Sequence, residues 1–333
     1  MNHSTWTPEH LLRTSGGYWA ACALHSAVEL DLFTRVGDGR VDAHTLAGGI
    51  GAPVDAVHRL LDAVAAMGLL TKDEAGYANT PDSRAYLCTD SDRYIGYIIR
   101  HHHYLMASWA MLPQAILTGE PVRLPVRDKG SDEREAFLMG MFNLAMQLAP
   151  RLVPVVDLSG CRSLLDLGGG PGTYAAHFCR HNPELAATVM DLPTTRPFAE
   201  KTIRHLGMDG RVAFISGDYL EDEIPGRYDA VWMSQILHGE SPADCRRMFA
   251  KAVGCLNPGG TLVVHEFILH DTLDGPLFPA LFSLNMLLGT VGGRAYSQGE
   301  LADMMESAGL TDIRRLDFKG PNDSGLIRGV KPA

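Results

Sequence analysis

The residues best suited to chemistry sit at the ends of short apolar runs. Leu164-Leu165-Asp166-Leu167-Gly168-Gly169-Gly170-Pro171-Gly172-Thr173 reads as a strand that ends in an acid and enters a glycine-rich turn. Glycines there let the backbone approach a ligand, and the helix expected from Tyr174 onward offers it free N–H groups. Ala187 to Asp191 and Arg211 to Asp218 repeat the pattern, each an apolar run closing on an acid. As strand ends on one side of an open parallel sheet, these acids share one ligand crevice. Asp191 is then placed for a ribose diol, Asp218 for the exocyclic amine of an adenine, and Asp166 for a cationic amino-acid head. Acids without a P-loop lysine suit a ligand bearing an ammonium and a sulfonium, such as S-adenosylmethionine (SAM), better than one bearing phosphates. A dinucleotide fingerprint would need a glycine where Thr173 stands.

Two further groups fall at later strand ends. His238 lies just past the run 228–233, and Glu266 ends the run 260–267. Imidazole is the side chain whose ordinary pKa lies nearest neutrality, so it is the natural base for a weakly acidic hydroxyl. A carboxylate beside it can fix its tautomer and stabilise the imidazolium.

From about Gly160 to Gly320 the chain closely resembles the SAM-dependent O-methyltransferases of the plant caffeate and hydroxyindole type and their bacterial relatives. The resemblance is carried, in order, by the Asp166 to Gly172 segment, Asp191-Leu192-Pro193, Gly217-Asp218-Tyr219-Leu220 and Asp229 through His238. It continues in Leu256-Asn257-Pro258-Gly259-Gly260, Val264-His265-Glu266, and Asn285-Met286-Leu287-Leu288 through Gly292-Gly293-Arg294. It implies an α/β chain: a Rossmann-like SAM-binding domain with an N-terminal winged-helix-like, α-helical dimerisation domain. It implies cofactor contacts at Asp166, Gly168, Gly170, Asp191, Leu192, Asp218, Tyr219 and Ser234, with His238 as general base and Glu266 as its partner. The acceptor pocket would be lined by His103, Met106, Trp109, Phe137, Met141, Asn285, Met286 and Thr290 and would suit a flat aromatic or conjugated small molecule. A homodimer through the N-terminal domain, SAM as cofactor and no metal complete what the resemblance implies. The chain departs from the family twice: Ala295 stands where plant members carry a second glutamate, and Gly239-Glu240 stands where Asp-Trp usually follows the histidine. N- or C-methylation, or a non-methylating reaction on the same fold, therefore stay open beside O-methylation.

The elements that must position these groups are legible as alternating patterns. Strands are expected near 163–167, 186–191, 211–216, 228–233, 260–267, 311–317 and 325–331, with helices between them, the pattern of a doubly wound parallel sheet. Upstream, residues 8–35 have helical apolar spacing in Leu11, Leu12, Trp19, Leu24, Val28, Leu30 and Phe33. A helix opening at Thr45, a turn at Gly51-Ala52-Pro53, a helix from Val54 to Met67 and strands at Gly68–Thr71 and Gly76–Asn79, joined through Lys72 to Ala75, make a winged-helix pattern. The expected division is 1–95 for dimerisation, 96–155 as a helical bridge contributing to the substrate pocket, and 156–333 for catalysis. His101, His102 and His103 point about 100° apart on a helix and cannot share one metal. His102 or His103 near the substrate is the functional reading, and a surface with one inward histidine the plain one.

Charge narrows the partners. The 333 residues carry 29 Lys and Arg against 39 Asp and Glu, a net charge of −10. Within 41–90 the bases are Arg59, Lys72 and Arg84 against seven acids, so the winged helix has no phosphate footprint and a DNA-binding regulator is disfavoured. No signal peptide and no apolar run long enough to span a bilayer is expected. The six cysteines are scattered without metal spacing, which suits reduced thiols in a cytoplasmic protein.

Overall fold

A computed structural model describes residues 6–124 and 130–333. The chain divides into two units inside one helix, between Leu105 and Met106.

The first unit begins with helices α1 (Pro8–Gly16), α2 (Tyr18–Glu29) and α3 (Leu32–Val36). α4 (Ala43–Ile50) and α5 (Val54–Ala66) follow, then strands β1 (Leu70–Asp73) and β2 (Gly76–Asn79), α6 (Pro81–Leu87) and the start of α7 (Gly96–Ala110). Asp42 caps α4 by accepting from Thr45 N at 2.9 Å, and Gly51 ends it in the left-handed region. Val57, Leu61 and Val64 recur along one buried face of α5. The hairpin pairs Leu70 with Asn79 and Asp73 with Gly76, so Lys72 and Asp73 are strand residues and the turn shrinks to Glu74-Ala75. Asp62 of α5 pins that hairpin, accepting from Lys72 Nζ and from the Tyr77 hydroxyl, each at 2.6 Å. α1 buries none of its residues, and Leu11, Leu12, Tyr18 and Trp19 are exposed.

The second unit is a sheet between helical layers. Its helices are α8 (Leu112–Thr118), α9 (Ser131–Leu152), α10 (Thr173–His181), α11 (Arg196–His205), α12 (Pro242–Cys255), α13 (Leu277–Gly289) and α14 (Gln298–Ser307). The strands are β3 (Ser163–Leu167), β4 (Ala186–Asp191), β5 (Val212–Ser216), β6 (Tyr228–Ser234), β7 (Leu256–Leu269), β9 (Thr311–Lys319) and β10 (Ser324–Val330), with the short β8 (Tyr296–Ser297) beside the end of β7. Their order is β5-β4-β3-β6-β7-β10-β9. Pairing is parallel from β5 to β7, but β10 runs antiparallel to both its neighbours. The expectation of a parallel sheet throughout is corrected here: only a short turn at Pro321–Asp323 joins β9 to β10, and a parallel connection needs a crossover of a dozen or more residues.

Side chains alternate between the two faces of the sheet. Leu165, Leu167, Val231 and Met233 pack with α12 and α14, whereas Leu164, Val189, Ala230 and Trp232 pack with α10 and the end of α9. Asp229 ties strand starts together: one oxygen accepts from Arg162 N, Ser163 N and Ser163 Oγ, and the other from Asn257 Nδ2. Ser131–Val155 is long and apolar enough to cross a membrane by length and composition, contrary to the sequence expectation. Its Leu148, Ala149, Leu152 and Val153 are buried in the core beside Phe178 and Trp232, so its apolar character is that of a core helix.

Candidate functional site

The carboxyl ends of β3, β4 and β5 lie side by side, and the ladder continues past them. Gly168 N donates to Met190 O at 2.8 Å and Gly217 N to Asp191 O at 2.9 Å. The glycine turn, Asp191 and Asp218 thus form a row with a strand-to-strand spacing of about 5 Å. Asp191 accepts from Gly170 N (2.8 Å), Leu192 N (2.7 Å) and Thr195 Oγ1 (2.9 Å). Burial nevertheless pushes its carboxyl above the usual range. Asp218 accepts from Leu220 N at 2.9 Å, a local turn of the kind Asp favours.

Asp166 lies beneath the turn and is 1% exposed. One oxygen accepts from Ala175 N at 3.3 Å, and the other has no hydrogen-bond partner. Burial pushes the carboxyl up to about 7, against the pull of the Ala175 N–H. A β-carbon on Gly169 would come within 2.5 Å of the Asp166 carboxyl carbon, so only glycine lets the turn close over the acid. The orphaned oxygen, the glycine cradle and the row of acids fit a cationic, diol-bearing ligand such as SAM. Ser234, at the end of β6, is held by His265 Nδ1 at 2.9 Å. His265 is stacked on Trp232, and burial lowers its pKa to about 4, which keeps it neutral.

His238 sits in the turn Leu237–Gly239 directly after β6, and Glu266 faces it from β7. Glu266 Oε2 lies 2.8 Å from His238 Nδ1, and Oε1 accepts from Leu237 N at 2.9 Å. Glu266 is 2% exposed, so the His238 turn is pinned from inside. With Nδ1–H donating to the carboxylate, Nε2 is the unprotonated nitrogen of the neutral ring. Phe282 meets the His238 ring edge-on at 4.7 Å, and Phe267 stacks at 6.2 Å. Phe278 completes an aromatic cluster with those two.

Of the expected acceptor residues, Asn285 and Met286 follow Phe282 on α13 by three and four positions, which places them on its side of the helix. The Thr290 hydroxyl donates to Met286 O at 2.8 Å. Met106 and Trp109 lie on the second-unit end of α7, and Phe137 and Met141 are one turn apart on α9; all four are half-buried. His103 belongs to the first unit, where its ring meets His25 at 5.9 Å. Ala295 is 1% exposed. Among the described residues, no group of three or more His, Cys, Asp or Glu is placed to hold a metal.

Two side chains of this region carry no mark in the sequence reading as site residues. Glu240 accepts from the Tyr219 hydroxyl at 2.8 Å while its carbonyl accepts from the Tyr296 hydroxyl at 2.6 Å, so it joins the loop after β5 to the His238 turn. Its one signal was the departure from the family's Asp-Trp. Arg123 donates to Ser108 Oγ (3.1 Å), Asn285 Oδ1 (2.9 Å) and Asn285 O (2.9 Å). Nothing around it in sequence distinguishes it.

The fold and this crevice define a SAM-type methyltransferase domain. The O-methyltransferase domain family matches residues 121–311, and the O-methyltransferase dimerisation domain matches residues 12–89. The 3-hydroxy-5-methyl-1-naphthoate 3-O-methyltransferase of Streptomyces sahachiroi is 34% identical, over 97% of this chain and 95% of its own. The N,N-dimethyltransferase OxyT of Streptomyces rimosus is 32% identical, over 97% and 96%. The structure of PigF with SAH, a Serratia protein, superposes with a TM-score of 0.89 at 27% identity, over 98% of this chain and all of that one. The chain belongs to the SAM-dependent O-methyltransferase family, with the family's dimerisation domain at its N-terminal side.

Proposed function

We propose that the enzyme methylates a phenolic hydroxyl of an aromatic small molecule, with His238 as the general base. The observation that carries this is the 2.8 Å pairing of His238 Nδ1 with the buried Glu266. SAM in the crevice would supply an electrophilic methyl group. Asp191 and Asp218 would hold its ribose and adenine, with Leu192, Tyr219, Ser234 and the Gly168–Gly170 backbone around them and Asp166 bracing the turn. A phenol near pKa ~10 is almost fully protonated at neutral pH, so its proton must go as the new bond forms. His238 Nε2 would take that proton, and Glu266 would stabilise the resulting imidazolium. Phe267, Phe278, Phe282 and Met286, with Met106, Trp109, Phe137 and Met141, are flat or pliable apolar groups suited to an aromatic acceptor. The naphthoate acceptor in the relative's name agrees with that class. OxyT keeps an amine acceptor in view, but an amine that arrives unprotonated reacts with little help from a base.

We assign dimerisation to 1–95, part of the acceptor wall to 96–155 and catalysis to 156–333. The protein would act as a cytoplasmic homodimer joined through its N-terminal domain. His238→Ala is expected to lower kcat by ~10²–10⁴ while SAM affinity, measured by calorimetry, stays nearly unchanged. The loss should shrink for more acidic phenols, which arrive already ionised. Near-wild-type turnover of the variant on a neutral phenol would overturn the base assignment.

A further inference from the structure

We propose that Arg123 binds an anionic group on the acceptor, so that the substrate is a hydroxyaryl carboxylate rather than a neutral phenol. This rests on the reading of the site as one for a phenolic acceptor, and names what else that acceptor carries.

Arg123 is a partly buried cation without a carboxylate partner among the described residues. Its hydrogen bonds go to Ser108 Oγ, Asn285 Oδ1 and Asn285 O, all neutral. Burial lowers its pKa to about 10, so the guanidinium stays charged at neutral pH. A desolvated cation held by neutral dipoles is under-compensated, and an incoming anion gains the difference. A guanidinium also has more N–H donors than these contacts use, in the planar fork that matches a carboxylate.

Its location supplies the second half of the argument. Phe282 of α13 meets the His238 ring, and Asn285 lies three residues further along the same helix, about 4.5 Å of axial rise. The residue that holds the guanidinium, Asn285, is therefore about one helical turn along α13 from the residue that meets the His238 ring. Ser108, its other partner, is the neighbour of Trp109 on α7. The plain alternative is that Arg123 only caps the end of α13, where Arg123 N also donates to Leu288 O at 3.1 Å. Capping explains the bond to Asn285 O. It does not require a side-chain cation bridging Ser108 and Asn285 Oδ1 with no counter-charge.

The test compares 4-hydroxy-2-naphthoic acid with its carboxamide, which keeps the ring and hydroxyl but loses the charge. Methyl transfer is followed by mass spectrometry, and binding by fluorescence titration with S-adenosylhomocysteine present. The wild-type enzyme should favour the acid at least ~10-fold in kcat/KM, the scale of a single charge-assisted contact. Arg123→Gln should erase that preference mainly through KM for the acid. Asn285→Asp keeps the cation but gives it an internal carboxylate, and should erase the preference too, which decides the matter if Arg123→Gln folds poorly. A wild-type enzyme indifferent to the charge, or variants that lose both acceptors equally, would overturn the proposal. Tight, Arg123-dependent binding of the acid without methyl transfer would instead sustain it and remove the O-methylation of such phenols.

Discussion

Gly293 packs against the main chain of His238. A β-carbon at 293 would come within 2.6 Å of the His238 carbonyl oxygen and 2.7 Å of that of Gly239. The second glycine of the Gly-Gly-Arg motif is thus a steric requirement of the loop that carries His238. Arg294 beside it is fixed by an ion pair with Glu300 at 2.5 Å, so the segment has little room to retreat.

Gly293→Ala should therefore displace the His238 turn without touching the glycine turn after β3. An ångström-scale shift of a catalytic group costs ~10²-fold. The expected result is that loss in kcat with unchanged SAM affinity by calorimetry. Equal losses in both would mean the strain spreads through the whole sheet edge.

Asp166 sets a pH dependence of the ligand-free protein. Its folded pKa, about 7, lies above the ordinary 3.8, so the native state binds the proton more tightly than the unfolded chain. Stability from this group is present below the unfolded value and is lost as pH rises toward 7. Asp166→Asn cannot ionise, so its melting temperature relative to wild type should climb between pH 5 and pH 8. A cationic ligand in the turn favours the ionised carboxyl and should release a proton near pH 6, visible as a buffer-dependent binding enthalpy. Identical proton release in Asp166→Asn would assign the effect elsewhere.

The exposed apolar face of α1 and the start of α2 bears on assembly. Leu12 and Trp19 are 73% and 69% exposed, and such large apolar groups on one short stretch mark an interaction surface. The double variant Leu12→Glu, Trp19→Glu should fall from twice the chain mass to the chain mass in light scattering. A dimer that survives both changes would place the contact elsewhere in the dimerisation domain.

Local pattern explains which features the sequence discloses. The strand ends carrying Asp166, Asp191 and Asp218 can be read because each apolar run is short, bounded, and closed by an acid. The His238 turn follows β6 directly, and Glu266 lies on β7, in the strand pair that sequence order already implies. What stays hidden are hydrogen bonds with no local correlate. Arg123 and Asn285 are 162 residues apart, and Asp229 reaches Ser163 across 66. Tyr219 and Glu240 meet only because the loops after β5 and β6 converge at one sheet edge. The reversed direction of β10 escapes a strand-by-strand reading, because orientation depends on the length of the connection and not on the strand's own residues. The length of α9 escapes it too, since charges at Asp132 to Glu135 and at Arg151 bracket an apolar stretch that only the finished helix joins.

The antiparallel strand β10 has a consequence for the nascent chain. It pairs Gly325 with Glu266 and Ser324 with Phe267, and so closes the free edge of the strand that bears the carboxylate partner of His238. β6, on the other side of β7, is translated before it, and the short β8 reaches only Ile268 and Leu269. Until residue 330 has left the ribosome, β7 presents an open row of backbone groups, with Glu266 on it. The pairing of His238 with Glu266 would then be among the last features of the chain to mature during synthesis, and a stalled or shortened chain would expose a sticky edge beside it.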